Sequence, residues 1–480
     1  MRSIIQIIRS LLPRNSFVRG VALLGGGAAT SQLLLMVSAP ILTRLYSTEQ
    51  FGIVAVFVSI LSIFNVVSTL RYELAIPIAK DDEEAVHSIA LAICVALATS
   101  FLVLLVVVGF RGQIAEAVKI PTMGRYLWLL PLGILLGSTY RIFYYWAIRI
   151  KAFSAITRTR LAQAISSIVV QIGGAPLGTI AMLLGQVINQ AAGISSLGTL
   201  ALRDHWFLFK AIRFKQVLWV GWRYRQFPYF STWGSLLNAI GTQISPILFA
   251  VLFSSTTAGI YALAHRVLSL PMSLVGQAIG NVFLARAAEA KREGNLAGLV
   301  AKVHEKLAQI AMPPTLVLAI VGPDLFVWVF GPEWREAGVF ARLMAPMLYF
   351  QFILSPISTL FSVLEKQKQG MFVHVIMVTV RCSSLLVGAW IGDVRLAVLL
   401  FAVGSATSYL IFFVWVVIMS GNSYSVIIKH TIQTLKIAML LVSPIVIGCF
   451  LNLNASLLKL SVLITSFLIG YQYFTVLKST

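Results

Sequence analysis

The chain has 480 residues, of which 59% are hydrophobic and 11% charged, against about 45–50% and about 25% in soluble domains. With a mean hydropathy of +0.90, this excludes a soluble enzyme, a disordered protein and a secreted disulfide scaffold, and leaves an all-α polytopic membrane protein. The 37 Lys and Arg against 16 Asp and Glu give a net charge of +21, which in such a protein is tested first against the rule that basic residues collect in cytoplasmic loops.

In chain order, residues 1–19 read as a basic amphipathic segment on the cytoplasmic surface: Ile4, Ile5, Ile7, Ile8, Leu11 and Leu12 alternate with Arg2, Arg9, Arg14 and Arg19. Charge-poor runs of about 20 residues then mark membrane spans. They cover Gly20–Thr43, Phe51–Leu70 with an extension to Ala79, Ala85–Phe110, and Tyr126–Ile148 interrupted by Arg141. Leu161–Leu202 carries no charge and is two helices joined at residues 173–178. After a basic linker at 203–227, one span ends near Phe253 and the next runs from Ala258 to about Leu284. Further spans cover Leu307–Phe330, Ala337–Leu364, Met371–Ile391, Leu396–Met419, Ile432–Leu451 and Leu457–Leu477. The total is about fourteen transmembrane helices: a six-helix bundle at 20–202, a second at 228–419, and two additional helices within 430–478. Threading the chain with both termini cytoplasmic places 26 of the 37 basic residues inside, 8 outside and 3 within spans, as the positive-inside rule requires.

Leu45–Val56 resembles Leu252–Leu263 at an offset of 207 residues without a gap. Both are read as the outer turn between the first two helices of a bundle, which fits two parallel repeats around a central substrate site. Prolines within spans (Pro40, Pro77, Pro131, Pro246, Pro271, Pro346 and Pro356) can each kink a helix; they are read as tolerated membrane prolines, with bends that open a cavity between halves as the functional alternative. Cys94, Cys382 and Cys449 lie in apolar runs with no metal-ligand or redox spacing. Asp81–Glu84 reads as a solvated acidic loop.

The informative charges lie inside the membrane, where an arginine at the centre costs about 2.5–3.5 kcal/mol on insertion scales and therefore faces a cavity. Arg266 lies about nine residues, ~13 Å, from the outer start of its helix, near mid-depth. Arg381 is also near the middle, and Arg141 is deeper toward the cytoplasm. Arg71 and Arg44 stand at helix ends and could snorkel. Arg71 and Glu73, two apart, are expected on different helix faces. Glu73 and His265 are the groups placed to couple transport to a proton or sodium gradient. An arginine-rich, acid-poor cavity suits an anion, because guanidinium binds phosphate oxygens in bidentate fashion and keeps its charge.

Three stretches resemble the Wzx-type polysaccharide (O-antigen) flippases: LTRLYSTEQFGIVAVFVSILSIFNVVSTLRYELAIP (Leu42–Pro77), YALAHRVLSLPMSLVGQAIGNVFLARAAEA (Tyr261–Ala290) and VFGPEWREAGVFARLMAPMLYFQFILSPISTLFSVLEKQKQ (Val329–Gln369). The resemblance covers most of Gly20–Met419. It implies a MATE-like fold of the multidrug/oligosaccharidyl-lipid/polysaccharide exporter superfamily and a cationic central cavity. It also implies movement of a polyprenyl-diphosphate-linked oligosaccharide, by alternating access, from the cytoplasmic to the periplasmic leaflet of the bacterial inner membrane. The expected partners are that substrate, membrane lipids and other polysaccharide-assembly proteins, with no cofactor and no nucleic acid. A lipid II flippase or a multidrug/cation antiporter of the same fold is the nearest alternative, the latter disfavoured by the shortage of mid-depth acids. A membrane glycosyltransferase or polymerase is the alternative of another class, disfavoured by outer connections no longer than about Arg111–Arg125. No GxxxxGK[ST] nucleotide motif is present, and the chain is expected not to be an enzyme.

Overall fold

In a computed structural model the chain is described at residues 16–210, 212–271, 276–364, 366–451 and 454–478; the expected amphipathic segment lies, up to residue 15, outside these. All regular structure among the described residues is helical. The helices are α1 (Ser16–Val37), α2 (Ala39–Leu45), α3 (Thr48–Val67), α4 (Asp82–Ala117), α5 (Leu129–Arg149), α6 (Phe153–Gly173), α7 (Thr179–Ala191), α8 (Ile194–Lys210), α9 (Phe214–Arg223), α10 (Thr232–Leu252) and α11 (Ser255–Pro271). They continue with α12 (Gln277–Arg292), α13 (Leu296–Phe330), α14 (Arg335–Ile357), α15 (Leu360–Val363), α16 (Gln367–Ile391), α17 (Val394–Met419), α18 (Tyr424–Phe450) and α19 (Ala455–Lys478).

Eleven helical segments of the described residues are long and apolar enough to cross a membrane. The other three expected spans correspond to α5, α6 and α11. The first two carry Arg141 with Arg149, and Arg158 with Arg160, and α11 has 17 residues. The apolar side chains left on the outside, among them Phe101, Val108, Ile411, Phe450 and Phe467, have lipid as their natural surroundings because every backbone polar group in a helix is bonded within it. The protein is a multi-pass membrane protein.

The chain forms two compact units, Met1–Gly259 and Ile260–Thr480. In the first, α1 packs on α6, α3 on α10, α4 on α5 and α9, and α5 on α7 and α8. Its core is Ile76, Val86, Ile89, Ile142 and Trp146, with alanines at 79, 85, 92 and 201 that let the helices approach. In the second, α13 packs on α14, α14 on α17, and α17 on α16. The two C-terminal helices close against α13 through Val321, Val442, Ile445 and Val462.

The two repeated segments are built alike. Ser47 caps α3 with its Oγ accepting from Gln50 N at 3.3 Å, while Gln50 Oε1 accepts from Ser47 N at 2.9 Å. At the equivalent place before α11, Ser254 Oγ accepts from Thr257 N at 3.1 Å. Capping satisfies amide donors that the first turn leaves free.

Two expectations are corrected here. The second span does not extend to Ala79: α3 stops at Val67, Leu70 and Arg71 take left-handed φ of 48° and 64°, and a separate 3-10 helix follows at Tyr72–Ile78. The acidic run is not a solvated loop but the start of α4. Asp81 caps Glu84 N at 2.8 Å, and Asp82, Glu83 and Glu84 occupy the first turn, where the helix dipole favours negative charge. The prolines act unequally. α13 kinks at Val321 (φ −112°), two residues before Pro323, and α4 kinks at Phe110 with no proline nearby, whereas Pro40 starts α2.

Candidate functional site

In the first unit, the break after α3 turns the backbone so that Arg71 and Glu73 face one another. The Arg71 Nη1 lies 3.7 Å from Glu73 Oε1. The expected separation onto different faces fails because the residues sit at a left-handed turn and a 3-10 helix, not on a continuous α-helix. Glu73 is fully buried, and Thr69 donates its hydroxyl to Glu73 Oε2. Arg71 Nη2 donates to Ser235 Oγ on α10 at 2.7 Å.

Arg141, on α5, joins the same cluster. Its Nη2 donates to Ser68 Oγ at 2.9 Å, and that hydroxyl is shared with Ser138 at 2.6 Å. Thr99 Oγ1 of α4 donates to Ser68 O at 2.7 Å and so fixes the turn. Glu73, Arg71 and Tyr145 all lie within electrostatic reach of Arg141. The cluster holds two guanidinium groups and one carboxylate, a formal excess of one positive charge. The Nε atoms of Arg71 and Arg141 and Oε1 of Glu73 are buried without a hydrogen-bond partner. Such atoms cost about 1–3 kcal/mol each when left unsatisfied.

Beside Arg141, Tyr144 and Tyr145 meet edge to face at 5.6 Å, and Arg160 donates to the Tyr144 hydroxyl at 3.4 Å with its guanidinium 5.8 Å from the ring. α5 thereby brings arginine and aromatic surface together.

In the second unit, Arg381 of α16 reaches α17. Its Nε donates to Ser405 Oγ at 3.4 Å and its Nη2 to the Tyr409 hydroxyl. Its guanidinium lies 5.5 Å from the Tyr409 ring and 6.0 Å from Phe401. Phe401 in turn meets Tyr261 edge to face at 5.9 Å, and Tyr261 stacks on His265 at 5.6 Å. His265 and His374 both lie within electrostatic reach of Arg381. Arg266 follows His265 on α11 and is partly buried.

The expected residues thus fall into two groups, each inside one unit: Arg71, Arg141 and Glu73 in the first, Arg381 and His265 in the second, with Arg266 next to His265 in the chain. Arg44 stands apart. It is exposed in the last turn of α2, donating to Pro40 O at 3.4 Å, and no hydrogen bond or ion pair of the described residues links it to Arg71 or Arg141. Sequence reasoning missed Ser68, Thr69, Ser138 and Ser235 in the first group and Ser405 and Tyr409 in the second. A signal for the last pair existed: Ser405 and Tyr409 are four apart and share one face of a helix. No group of three or more potential metal ligands occurs among the described residues.

A family profile described as "Polysaccharide biosynthesis protein" matches residues 41–339. The succinoglycan biosynthesis transport protein ExoT of Rhizobium meliloti (strain 1021) is 22% identical over 345 residues, which are 70% of this chain and 66% of that protein. The match therefore spans just under two thirds of that relative's length. Among solved structures, the lipid II flippase MurJ in an inward closed conformation is similar with a TM-score of 0.71 at 13% identity, over 95% of this chain and 99% of that one. An inward-facing multidrug resistance MATE family transporter of the MOP superfamily is similar with a TM-score of 0.64 at 12% identity, over 81% and 94%. At these identities the likeness is one of fold, and it is the MATE-like fold.

Proposed function

The chain belongs to the polysaccharide biosynthesis protein family, and from that premise we propose that it is a Wzx-type flippase for a polyprenyl-diphosphate-linked oligosaccharide. The observation that carries this reading is the Arg71–Arg141 cluster: two arginines gathered on one helix break, with a single buried carboxylate paired to Arg71 and within electrostatic reach of Arg141. A diphosphate offers many acceptor oxygens to such donors, and charge-assisted bonds to it are strong in a low-dielectric setting. The comparisons agree with it: one relative is named for transport in succinoglycan biosynthesis, and a neighbour in fold is a lipid II flippase.

In this reading Arg71, Arg141, Arg266 and Arg381 hold the diphosphate and its first sugars at successive stages of alternating access. Tyr144 and Tyr145 offer aromatic surface to the glycan. The polyprenyl chain stays in lipid. Glu73 keeps Arg71 partly neutralised until the substrate's charge replaces it. Arg44, exposed at the end of α2, would meet the substrate only at an outer stage. Transport is outward from the cytoplasmic leaflet of the inner membrane, with both termini cytoplasmic and the bundles at 20–202 and 228–419 as the moving parts. An anion moving outward runs with a negative-inside potential, by about 2.3 kcal/mol per charge per 100 mV. Coupling to a proton or sodium gradient, with Glu73 or His265 as carrier, belongs to the same proposal.

Depleting the protein in its host tests the reading. Lipid-linked repeat units should accumulate on the cytoplasmic face while surface polysaccharide falls. Unchanged surface polymer under full depletion contradicts it.

A further inference from the structure

The segment around α9 belongs to neither arginine group, and it carries an unusual surface. One face is docked: Val217 and Val220 are buried, and α9 packs on α4. Arg213 N donates to His87 Nε2 at 3.2 Å, and the Tyr72 hydroxyl donates to Gly221 O at 3.2 Å. Arg223 pairs with Glu84 at 2.9 Å. These contacts fix how α9 is rotated.

With about 3.6 residues per turn, the rotation leaves Phe214, Leu218 and Trp222 in a second stripe, 76%, 57% and 69% exposed. Lys215, Trp219 and Arg223 form a third face beside it. A stripe of bulky apolar residues edged by cations is the pattern of a helix lying in a membrane–water interface, its apolar edge about 5–10 Å into the acyl boundary. The surface is continuous with the membrane-spanning wall: Tyr229, Phe230 and Trp233 are exposed and lead straight into α10.

The charge is one-sided. Between residues 203 and 225 six basic residues face a single acid, Asp204. Cations sit over exposed rings: Arg225 over Trp222 at 3.7 Å and Arg223 over Trp219 at 5.2 Å at α9, and Lys210 over Trp206 at 5.3 Å on the preceding helix α8. Tryptophan is at home at headgroup depth, and a cation stacked on it is presented at that same depth.

We propose that α9 and its flanks form a binding surface for anionic phospholipid headgroups of the adjacent leaflet. Lys210, Lys215 and Arg225 meet the headgroup phosphates, while Phe214, Leu218 and Trp222 lie among the acyl chains. The proposal rests on the chain spanning a membrane and is independent of what it transports.

The test uses the full-length protein in micelles doped with equal amounts of phosphatidylglycerol and phosphatidylcholine, with retained lipids counted by native mass spectrometry. Wild type should retain phosphatidylglycerol in preference. Lys215→Gln with Arg225→Gln should cut that retention about fivefold or more, since one basic residue near an anionic surface is worth about fivefold in binding. Arg223 is left in place because it holds α9 to Glu84. Raising salt from low to high should release phosphatidylglycerol from wild type, a readout that needs no variant. Wild type without a preference, a preference insensitive to salt, or a folded double variant that retains as much phosphatidylglycerol as wild type would each overturn the proposal.

Discussion

Gly52 and Gly259 meet across the two repeated segments. A Cβ placed on Gly52 would fall against the Ser255 carbonyl oxygen, and one placed on Gly259 would fall against the Thr48 carbonyl oxygen. The offset that aligns the segments carries Thr48 to Ser255 and Gly52 to Gly259, so the contact is reciprocal. Neither obstacle is a flexible side chain that could swing away. Either Gly52→Ala or Gly259→Ala must push α3 and α11 apart at this end. Overpacking of this kind costs about 1–3 kcal/mol, so each variant should lower the Tm of the purified protein by several degrees, and the double variant by less than the sum. Wild-type melting in both single variants would show that the contact carries no weight.

A second expectation concerns Glu73. Glu73 is fully buried while the Arg71 side chain is 25% exposed, so removing the carboxylate leaves a partly solvated charge uncompensated, at a cost below the ~3–5 kcal/mol of a fully buried pair. Glu73→Gln should therefore melt earlier than wild type. The same change leaves Arg71 fully positive toward a ligand, so binding of inorganic pyrophosphate, followed by calorimetry, should tighten several-fold. Tighter binding with lower stability separates a counter-ion from a purely structural carboxylate, which would lower both.

A third concerns Arg381. Lysine keeps the charge but loses the planar fork that spans Ser405 and Tyr409. Arg381→Lys should lower transport about tenfold, and Tyr409→Phe about two- to fivefold with the charge intact. Equal and full activity in both would remove this group from the transport path.

Much of this molecule was legible in the sequence because bilayer physics leaves so few choices. The apolar run Leu396–Met419 became a helix at nearly the expected limits, Val394–Met419, since only a helix satisfies its own backbone in lipid, whereas the helix expected at Ile432–Leu451 begins eight residues earlier, at Tyr424. The repeat was legible too, and the structure adds equivalent caps at Ser47 and Ser254. What was not legible was where a helix fails. Nothing in Ser68–Glu73 announces two successive left-handed residues, yet that turn places Arg71 and Glu73 in contact. The acidic run Asp81–Glu84 misled for a related reason. Composition suits a solvated loop, but the helix dipole and the basic partners Arg149 and Arg223, distant in sequence, draw it into structure.

Those partners give a fourth expectation. Arg149 pairs with Asp82 at 2.8 Å and also donates to the carbonyls of Ile76 at 3.1 Å and Ala79 at 2.8 Å. It ties the 3-10 helix that follows Arg71 to the start of α4. Arg149→Ala should loosen this tie, lowering transport without altering the arginine cluster itself. Hydrogen exchange should rise over residues 72–84 and stay unchanged over α17. Protection equal to wild type at 72–84 would contradict the assignment.

The most direct measurement follows a fluorescent polyprenyl-diphosphate oligosaccharide crossing the bilayer of proteoliposomes. Wild type is compared with Arg71→Gln/Arg141→Gln and with Arg266→Gln/Arg381→Gln, all matched for folded protein. If the arginines carry the diphosphate, wild type should flip the lipid well above protein-free vesicles and both double variants should fall at least tenfold. Flipping at the wild-type rate in both double variants, or none in wild type, would contradict the account.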